Sequence, residues 1–384
     1  MQRILLLLLL PIGDTLFTTP AIHALRKRYP GAQITALVYP TNVGILRSNP
    51  DIDGFLFWPT RQSWPGLRST LSLFWKLRQA RYDLAVEFSN YTWWVTWLSG
   101  IKSRTEMNLP RFWWVVPRAG KEWRKKHAVE HYNDAVMRLG ISVEDEQLRI
   151  FPTPEEEERA QSWLERYRVG PGELLVGIHP GGEGLWGRKQ WGPERFAKVA
   201  SGLHKKLGDN VRVVLMGGKD DASLAAQIAA RTTAHVINAT GQTTLGETAA
   251  LMKKCAIFVG NDSSPLHIAA ATGVPVVGIY GPTDPRSYHP WVPEGKEGAD
   301  YSVVRSPLSC ACCFSLVGGI TLVEWMMCLL CPALAAITPK RVLSACLEIL
   351  EAKDQRGIEQ NAIESERGMT APGPYSDFVR YSKQ

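Results

Sequence analysis

The sequence predicts an α/β protein of two domains in tandem, each built on a mostly parallel sheet. Short apolar runs of strand length alternate with amphipathic segments of helix length along the chain. The 384 residues exceed what one ordinary core accommodates, and a stretch with Pro, Gly and Glu over residues 150–172 separates two such series. We therefore predict domains over residues 1–160 and 161–338. A closing helix over 339–353 and a polar, disordered tail over 354–384 are expected to follow.

The first series begins with Arg3, Ile4 and six leucines, which imitates a signal peptide. The apolar run is short and ends in Pro11-Ile12-Gly13-Asp14 without a small-residue cleavage site, so a buried parallel strand explains it better. The strands predicted in this half are 3–10, 33–38, 54–58 and 83–88. The predicted helices are 15–29, 41–48 and 66–80.

The second series follows the same alternation. Its predicted strands are 174–179, 211–216, 235–238, 256–260 and 275–279. Its predicted helices are 193–207, 221–231, 245–253 and 265–272. No run of uncharged apolar residues in either half reaches the ~18 that a membrane-spanning helix requires.

Charge is concentrated in the first half of the chain. The net charge is +7, and residues 1–150 carry 20 Lys and Arg against 12 Asp and Glu. Nine of the fourteen Trp precede residue 124. This combination favours an anionic partner or contact with an anionic membrane surface, and a solvated basic face over an aromatic core is the plainer alternative.

The seven cysteines are irregularly spaced, which is typical of a reducing cytoplasm. Four of them, Cys310, Cys313, Cys328 and Cys331, have a spacing similar to that of a four-thiolate zinc site. The segment between them is unusually apolar, so buried thiols are the alternative, and we predict no metal site.

Candidate chemistry lies where predicted strands end, because ligands of such sheets bind beyond the carboxyl ends of the strands. Gly13 and Asp14 follow the first strand. Asp14 either caps the next helix or, if that helix starts at Thr18-Thr19-Pro20, stays free in the inter-domain face.

Three further strand ends carry polar or glycine-rich sequence. His179-Pro180-Gly181-Gly182-Glu183-Gly184 could offer backbone N–H groups to a phosphate, and Lys189 would add a charge. Asp221 follows the strand 211–216, where it either binds ribose hydroxyls or caps a helix. At the end of strand 256–260, Asp262 and Ser263 precede Ser264-Pro265, a good helix start that would face an anion.

The loop Gly281-Pro282-Thr283 reaches the same crevice from the neighbouring strand. Together these strand ends indicate an anionic, sugar-containing ligand, hence a nucleotide. A G-x-G-x-x-G motif is missing after both first strands, which argues against a dehydrogenase that uses NAD. Asp51-Ile52-Asp53 spells D-x-D but is interpreted as a turn, and His267 is interpreted as a packed histidine.

Four motifs resemble those of glycosyltransferase family 9, the ADP-heptose:lipopolysaccharide heptosyltransferases. They are IGDTLFTTPAIHALRKRYP, K-x-W at Lys189–Trp191, NDSSPLHIAAATGVPVVGIYGPTDP, and a Cys-containing segment before the last helix. The resemblance covers most of residues 1–350. It implies the GT-B architecture, two Rossmann-like domains facing an inter-domain crevice. It also implies that the N-terminal domain takes the acceptor and that the C-terminal domain takes the nucleotide-sugar.

The resemblance also implies roles at matching positions. Asp14 matches the proposed general base, with Gly13 on the acceptor side. The remaining matches lie on the donor side, at Lys189, Asp221, Asp262, and Thr283 with its neighbours Gly281 and Pro282. Ser263 and Ser264 are placed on the donor side by their position at the helix start. Ser264 stands where the family usually has Gly.

From these residues we expect metal-independent, inverting transfer of a sugar, heptose from ADP-heptose, to a lipopolysaccharide-core or other glycan acceptor. No cofactor and no nucleic-acid partner are expected. The expected location is the cytoplasm, including the inner face of the cytoplasmic membrane. Two alternatives stay open, an epimerase-like nucleotide-sugar enzyme of the same architecture and a non-catalytic protein that binds nucleotides or membrane surfaces.

Overall fold

A computed structural model describes residues 3–58, 67–89, 92–106, 126–182, 189–293, 300–308 and 332–366. Two sheets, all of whose strand pairs are parallel, divide this part of the chain. Both the α/β class and the tandem arrangement predicted from the sequence are confirmed.

The first sheet has five strands in the order β3-β2-β1-β4-β5. The strands are β1 (Arg3–Leu8), β2 (Gln33–Val38), β3 (Gly54–Phe57), β4 (Leu84–Glu87) and β5 (Ser103–Glu106). The helices of this half are α1 (Ile12–Phe17), α2 (Thr19–Arg28), α3 (Val43–Leu46), α4 (Leu67–Ala80), α5 (Trp93–Leu98) and α6 (Ala128–Met137). The leucines of β1 are fully buried at the centre of the sheet, as expected of a parallel strand covered on both faces.

The second sheet has six strands in the order β11-β10-β9-β6-β7-β8. The strands are β6 (Leu174–His179), β7 (Val211–Leu215), β8 (His235–Asn238), β9 (Ile257–Asn261), β10 (Val276–Tyr280) and β11 (Tyr301–Arg305). The helices are α7 (Pro154–Arg166), α8 (Pro193–Leu207), α9 (Ala222–Ala229), α10 (Leu245–Lys253), α11 (Ser264–Ala271), α12 (Pro285–Tyr288), α13 (Pro332–Ala335) and α14 (Pro339–Glu366).

The helix predicted over 15–29 is in fact two helices. Pro20 has no N–H to donate to the carbonyl of Leu16, and the Thr19 hydroxyl donates to that carbonyl instead at 2.8 Å. The Thr18 hydroxyl likewise donates to the carbonyl of Thr15 at 2.7 Å. This break makes α1 a short separate helix that begins at Ile12 and carries Asp14 in its first turn.

Two predicted boundaries fall inside helices. The domain boundary between residues 160 and 161 falls inside α7, which packs on α10 of the second domain. Arg159 pairs with Glu247, and Lys253 pairs with Glu157 at 2.9 Å. The tail predicted to be disordered from residue 354 begins inside α14, which continues to Glu366 and packs along α8. Residues 367–384 lie outside the described part of the chain.

Two short strands and several short helices were not predicted, among them β5, β11, α5 and α6. β5 and β11 are edge strands in which charged or polar residues interrupt the apolar pattern, so their sequences lack the signal of a buried strand. None of the described helices combines the length and the apolar composition needed to span a bilayer.

Candidate active site

The two domains meet where α1, after β1, contacts the start of α11, after β9. The backbone N–H of Gly13 donates to the Ser264 hydroxyl at 3.0 Å. A Cβ on Gly13 would lie 3.3 Å from that oxygen and 3.5 Å from the His267 ring, so only glycine allows this approach without displacement. Ser264 therefore has a structural role, as a hydrogen bond between the domains.

Asp14 lies beside this contact and is partly exposed. Its Oδ1 accepts a hydrogen bond from the hydroxyl of Tyr132, a buried residue of α6, at 2.7 Å. Burial raises the pKa of Asp14, and the Tyr132 hydrogen bond and the neighbouring His267 and Lys189 side chains only partly oppose this rise. Asp14 makes no helix-capping hydrogen bond, because α1 starts earlier than predicted, and its carboxylate is directed to the inter-domain contact.

Across the crevice, Lys189 and Asp262 form an ion pair in which Nζ lies 2.7 Å from Oδ2. Asp262 is buried, and the other carboxylate oxygen lies 3.7 Å from His267 Nε2. Burial alone would raise the pKa of Asp262, but the Lys189 ammonium and the nearby His267 ring outweigh burial and lower it. Asp262 is therefore an anion paired with Lys189, whose side chain is partly exposed.

His267 is packed, as predicted from the sequence. It lies in α11, is 5% exposed, and its ring meets Phe17 of α1 edge to face with centroids 4.6 Å apart. The ring therefore fills the space between the two domains while its Nε2 faces Asp262.

Asn261, the last residue of β9, fixes the glycine loop. Its amide nitrogen donates to the carbonyls of Pro180 and Gly181 at 2.9 and 2.8 Å, and its oxygen accepts from the N–H of Trp191 at 3.2 Å. Trp191 is buried, and its indole N–H donates to the carbonyl of Ile337 at 2.9 Å. These bonds set the position of Lys189 two residues before Trp191. Residues 183–188 of the predicted phosphate loop lie outside the described residues.

Asp221 makes a capping bond, one of the two predicted alternatives, and its binding of ribose stays a prediction. Its Oδ2 accepts from the N–H of Gly218 at 2.8 Å, which is a local capping bond. A Cβ on Gly181 would overlap the Asp221 carboxylate, so this side chain also lies against the glycine loop. His179 of β6 is beside it, and burial lowers the pKa of His179 despite the carboxylate, so this imidazole is neutral.

Ser263 and the loop over 281–283 border the same site. The Ser263 hydroxyl donates to the carbonyl of Asn261 at 3.1 Å, within its own domain. Gly281 is required by close packing, because a Cβ there would overlap Leu334. The hydroxyl of Thr283 is buried, with no hydrogen-bond partner among the described residues. Gly281, Pro282 and Thr283 are all buried, so this loop is packed into the second domain and is not an exposed turn.

A second inter-domain contact lies near α6 and was not predicted. His127 Nδ1 accepts from the N–H of Val129, so Nε2 carries the proton that is donated to the carbonyl of His289 at 3.0 Å. Burial lowers the pKa of His127 to about 2, so the ring stays neutral. The ring also packs on Trp291, whose indole N–H donates to the carbonyl of Glu146 at 2.8 Å. These contacts fix α6, and hence Tyr132, relative to the second domain.

The D-x-D motif is a turn, as predicted. The Asp51 carboxylate pairs with His23 at 3.0 Å, and the Asp53 carboxylate pairs with Arg26 at 2.6 Å. Among the described residues no group of His, Cys, Asp and Glu could hold a metal ion. Cys310, Cys313, Cys328 and Cys331 lie outside the described residues.

Sequence reasoning named the candidate site residues but missed Tyr132, Asn261 and His127 as supporting residues. Tyr132 and His127 lie in or next to a helix that was not predicted, more than 110 positions from Asp14. Asn261 ends β9 and could have been noted, since an Asn that ends a buried strand needs hydrogen-bond partners.

Two parallel α/β domains that meet at a crevice lined by strand ends define the GT-B architecture. The family model described as Glycosyltransferase family 9 (heptosyltransferase) matches residues 70–315. The chain belongs to glycosyltransferase family 9, and it is a glycosyltransferase.

Several relatives have similar sequences. Lipopolysaccharide heptosyltransferase 3 of Escherichia coli is 29% identical over 295 residues, which cover 73% of this chain and 83% of the relative. Lipopolysaccharide heptosyltransferase 2 of E. coli K12 is 25% identical over 288 residues, 71% of this chain and 81% of the relative.

Solved structures share the fold. The glycosyl transferase family 9 protein from Veillonella parvula has a TM-score of 0.71 at 22% identity, covering 91% of this chain and 97% of its own. The E. coli ADP-heptose LPS heptosyltransferase II has a TM-score of 0.68 at 22% identity, covering 92% of this chain and 100% of its own.

Proposed function

We propose that the protein transfers heptose from ADP-heptose to a sugar hydroxyl of a lipopolysaccharide-core acceptor, with inversion at the anomeric carbon. The observation that carries the proposal is the pairing of Asp14 on one side of the crevice with Lys189 and Asp262 on the other. The names of the relatives support the sugar and the acceptor, since they act in lipopolysaccharide synthesis as heptosyltransferases. A solved structure of an E. coli heptosyltransferase with ADP supports the nucleotide.

Asp14 is proposed as the general base. The acceptor oxygen attacks the anomeric carbon in line, its proton passes to the Asp14 carboxylate, and the bond from the anomeric carbon to the diphosphate oxygen breaks. A pKa raised by burial makes a carboxylate a stronger base, and the Tyr132 hydrogen bond fixes the orientation of the carboxylate. Gly13 would lie on the acceptor side of this group.

The second domain is proposed to hold the donor. Lys189 is already paired with Asp262, so a diphosphate entering the crevice would share the Lys189 ammonium with that carboxylate. The start of α11 at Ser263 and Ser264 would direct backbone N–H groups and the helix dipole at the same phosphates. These charges would stabilise the leaving diphosphate in the role that a divalent metal fills in other transferases.

Two further donor contacts are proposed. Asp221, held against the glycine loop, would accept from the ribose hydroxyls. The buried hydroxyl of Thr283, with Gly281 and Pro282, would line the nucleotide or sugar end of the same pocket. The enzyme is proposed to act in the cytoplasm, on the inner side of the cytoplasmic membrane.

The test is incubation of the full-length protein with ADP-heptose and a heptose-containing core acceptor. We expect acceptor-dependent release of ADP and a product whose new linkage is of inverted anomeric configuration by NMR. Conversion of the donor without any acceptor would instead indicate the epimerase-like alternative.

A thermal-shift series with ADP, UDP and GDP tests the donor independently. A ligand at 100 times its dissociation constant adds about 2.7 kcal/mol of stability. We expect the largest shift with ADP. A larger shift with UDP or GDP would reject ADP-heptose as donor, and no response to any nucleotide or nucleotide-sugar would reject the donor site.

A further inference from the structure

The sheet of the first domain has two differently covered faces. Leu5, Leu7 and Leu9 pack on one face with residues of α4 and α5, whereas Ile4, Leu6 and Leu8 pack on the other face with α1 and α2. Asp14 and the inter-domain contact belong to the α1 side. The helices α4 and α5 therefore form an outer layer on the side of the sheet that faces away from the second domain.

This outer layer is unusually apolar on its exposed side. In α4, Leu73 and Leu77 are buried on the sheet, while Leu71 and Trp75 are 58% and 62% exposed. In α5, Val95 is buried, while Trp97 and Leu98 are 66% and 42% exposed. We call the exposed residues Leu71, Trp75, Trp97 and Leu98 the tryptophan patch.

The two helices are in contact, so the patch is continuous. The Arg78 guanidinium donates to the carbonyl of Leu98 at 3.5 Å, and the rings of Phe74 and Trp94 have centroids 5.7 Å apart. On α4, Leu71, Trp75 and Arg78 lie at i, i+4 and i+7, one stripe of the helix, and Arg78 borders α5. The exposed Trp75 thus lies on the same outer surface as Trp97.

The charged residues of α4 and α5 all have one sign. The α4 sequence LRSTLSLFWKLRQA contains Arg68, Lys76 and Arg78 and no acidic residue, and the α5 sequence WWVTWL has no charge. All three basic residues are exposed. Exposed tryptophans beside unbalanced cations match the interfacial zone of a bilayer, where the indole rings enter the headgroup region and cations meet anionic phosphates.

We propose that the tryptophan patch docks the enzyme on the surface of an anionic phospholipid bilayer. The basic, Trp-rich composition of the first half led to an expectation of such a partner, and α4 and α5 provide a surface of this chemistry. Asp14 and the inter-domain contact lie on the α1 side of the sheet, so docking through α4 and α5 does not cover them. The proposal does not depend on the identity of the transferred sugar.

The experiment is co-sedimentation of the full-length protein with vesicles. We expect binding to phosphatidylcholine vesicles that contain phosphatidylglycerol, and much weaker binding to phosphatidylcholine alone. The double variant Arg68→Gln, Lys76→Gln should weaken binding to the anionic vesicles by roughly 30-fold, since each basic residue near an anionic surface contributes about fivefold. The double variant Trp75→Ser, Trp97→Ser should weaken binding to both vesicle types.

Matched controls lie elsewhere on the surface. Lys205 and Lys206 are exposed at the end of α8 in the second domain, and Met137 is 55% exposed at the end of α6. The variants Lys205→Gln, Lys206→Gln and Met137→Ser should bind vesicles as the wild type does. Thermal unfolding of every variant should match that of the wild type, because each changed side chain is exposed.

Equal loss of binding in the patch variants and in the lysine control would overturn the proposal, because net charge rather than the patch would then be responsible. Failure of the wild type to bind anionic vesicles would also overturn it. Loss of self-association in the patch variants, without any vesicle binding, would assign the patch to a second copy of the chain instead.

Discussion

Asp14 and Asp262 stand on opposite sides of the crevice, each in the turn that follows a central parallel strand. Asp262 is buried next to a lysine ammonium and a histidine, and these partners lower its pKa despite burial. Asp14 accepts a hydrogen bond from Tyr132 and has no ion-pair partner among the described residues, and its pKa is raised. Two carboxylates whose environments shift their pKa values apart are suited to different roles.

On the proposed mechanism, this difference in pKa suits Asp14 to accept a proton and Asp262 to remain an anion. A carboxylate with a raised pKa has more affinity for the acceptor proton, whereas a carboxylate with a lowered pKa stays an anion and keeps Lys189 in position. In the proposed mechanism, the N-terminal domain supplies the base, and the C-terminal domain supplies the charges that stabilise the leaving group. Each of the following changes tests one side of this division.

The largest effect is expected from Asp14→Asn. An amide has the shape of the carboxylate and can keep the Tyr132 hydrogen bond, but it cannot take the acceptor proton. We expect kcat to fall by about 10² or more, with donor affinity nearly unchanged in calorimetry. The exposed Asp209→Asn variant serves as the control and should retain full turnover. Wild-type kcat in Asp14→Asn would disprove the assignment of the base.

Removal of the Asp262 carboxylate should affect the donor side of the crevice, where we expect lower stability and weaker donor binding. Asp262→Asn removes the anion that balances Lys189, and we expect the free energy of unfolding at pH 7 to fall by about 1–3 kcal/mol. Because the folded-state pKa of Asp262 is lowered, its contribution is present above its unfolded-state pKa and is lost as pH falls through the folded-state value. The stability difference between wild type and variant should therefore shrink in acid, as measured by urea unfolding.

Lys189→Met removes the positive charge of the same ion pair on the donor side. It should weaken donor binding by at least tenfold in the same calorimetry, since one charge-assisted phosphate contact is lost. Unaltered donor affinity in Lys189→Met would contradict the phosphate role.

A more moderate effect is expected from Tyr132→Phe. The Tyr132 hydrogen bond lowers the pKa of Asp14, so its removal should raise that pKa further. The acid limb of kcat/KM against pH should then move to higher pH, and turnover at a fixed neutral pH should fall severalfold. Tyr167→Phe, at an exposed tyrosine remote from the crevice, should leave the profile in place. A loss of turnover without any movement of the acid limb would show that Tyr132 acts only through packing.

The smallest effect is expected from Ser264→Ala. This change deletes the hydrogen bond from Gly13 to Ser264 between the domains, worth about 0.5–1.5 kcal/mol. We expect KM for the acceptor or donor to rise by about two- to tenfold with little change in kcat, because domain closure becomes less favourable. Ser263→Ala, which deletes a bond within one domain, is the matched control and should have less effect on KM. Equal effects would show that the bond between the domains has no special role.

Much of the fold followed from local patterns. The strand Leu174–His179 was predicted at its observed bounds because buried parallel strands are apolar and end at turn residues. The partly buried edge strand His235–Asn238 was also predicted at its observed bounds. The edge strands Ser103–Glu106 and Tyr301–Arg305 were missed because their pairing depends on a neighbouring strand rather than on their own pattern. The α7 boundary was missed because breakers at both ends of a helix do not show which domain it packs against.

The sequence by itself determined the candidate site residues. Asp14, Lys189 and Asp262 each come after an apolar strand, and the rule that ligands bind at the carboxyl ends of parallel strands selected them as candidates. The resemblance to one family implied their roles. The sequence also determined the overall architecture, through two alternating series and motifs similar to those of one family. These properties are local, since a residue's place at the end of a strand is fixed by its immediate neighbours.

Only the tertiary structure decided how those groups behave. Tyr132 meets Asp14 across 118 positions, and Ser264 meets Gly13 across 251 positions. Burial and neighbouring charge set opposite pKa shifts on two aspartates that look alike in the sequence, and both quantities depend on which distant segments pack together. The sequence identifies the two aspartates, and the packing of distant segments around Asp14 and Asp262 determines which of them has the higher pKa.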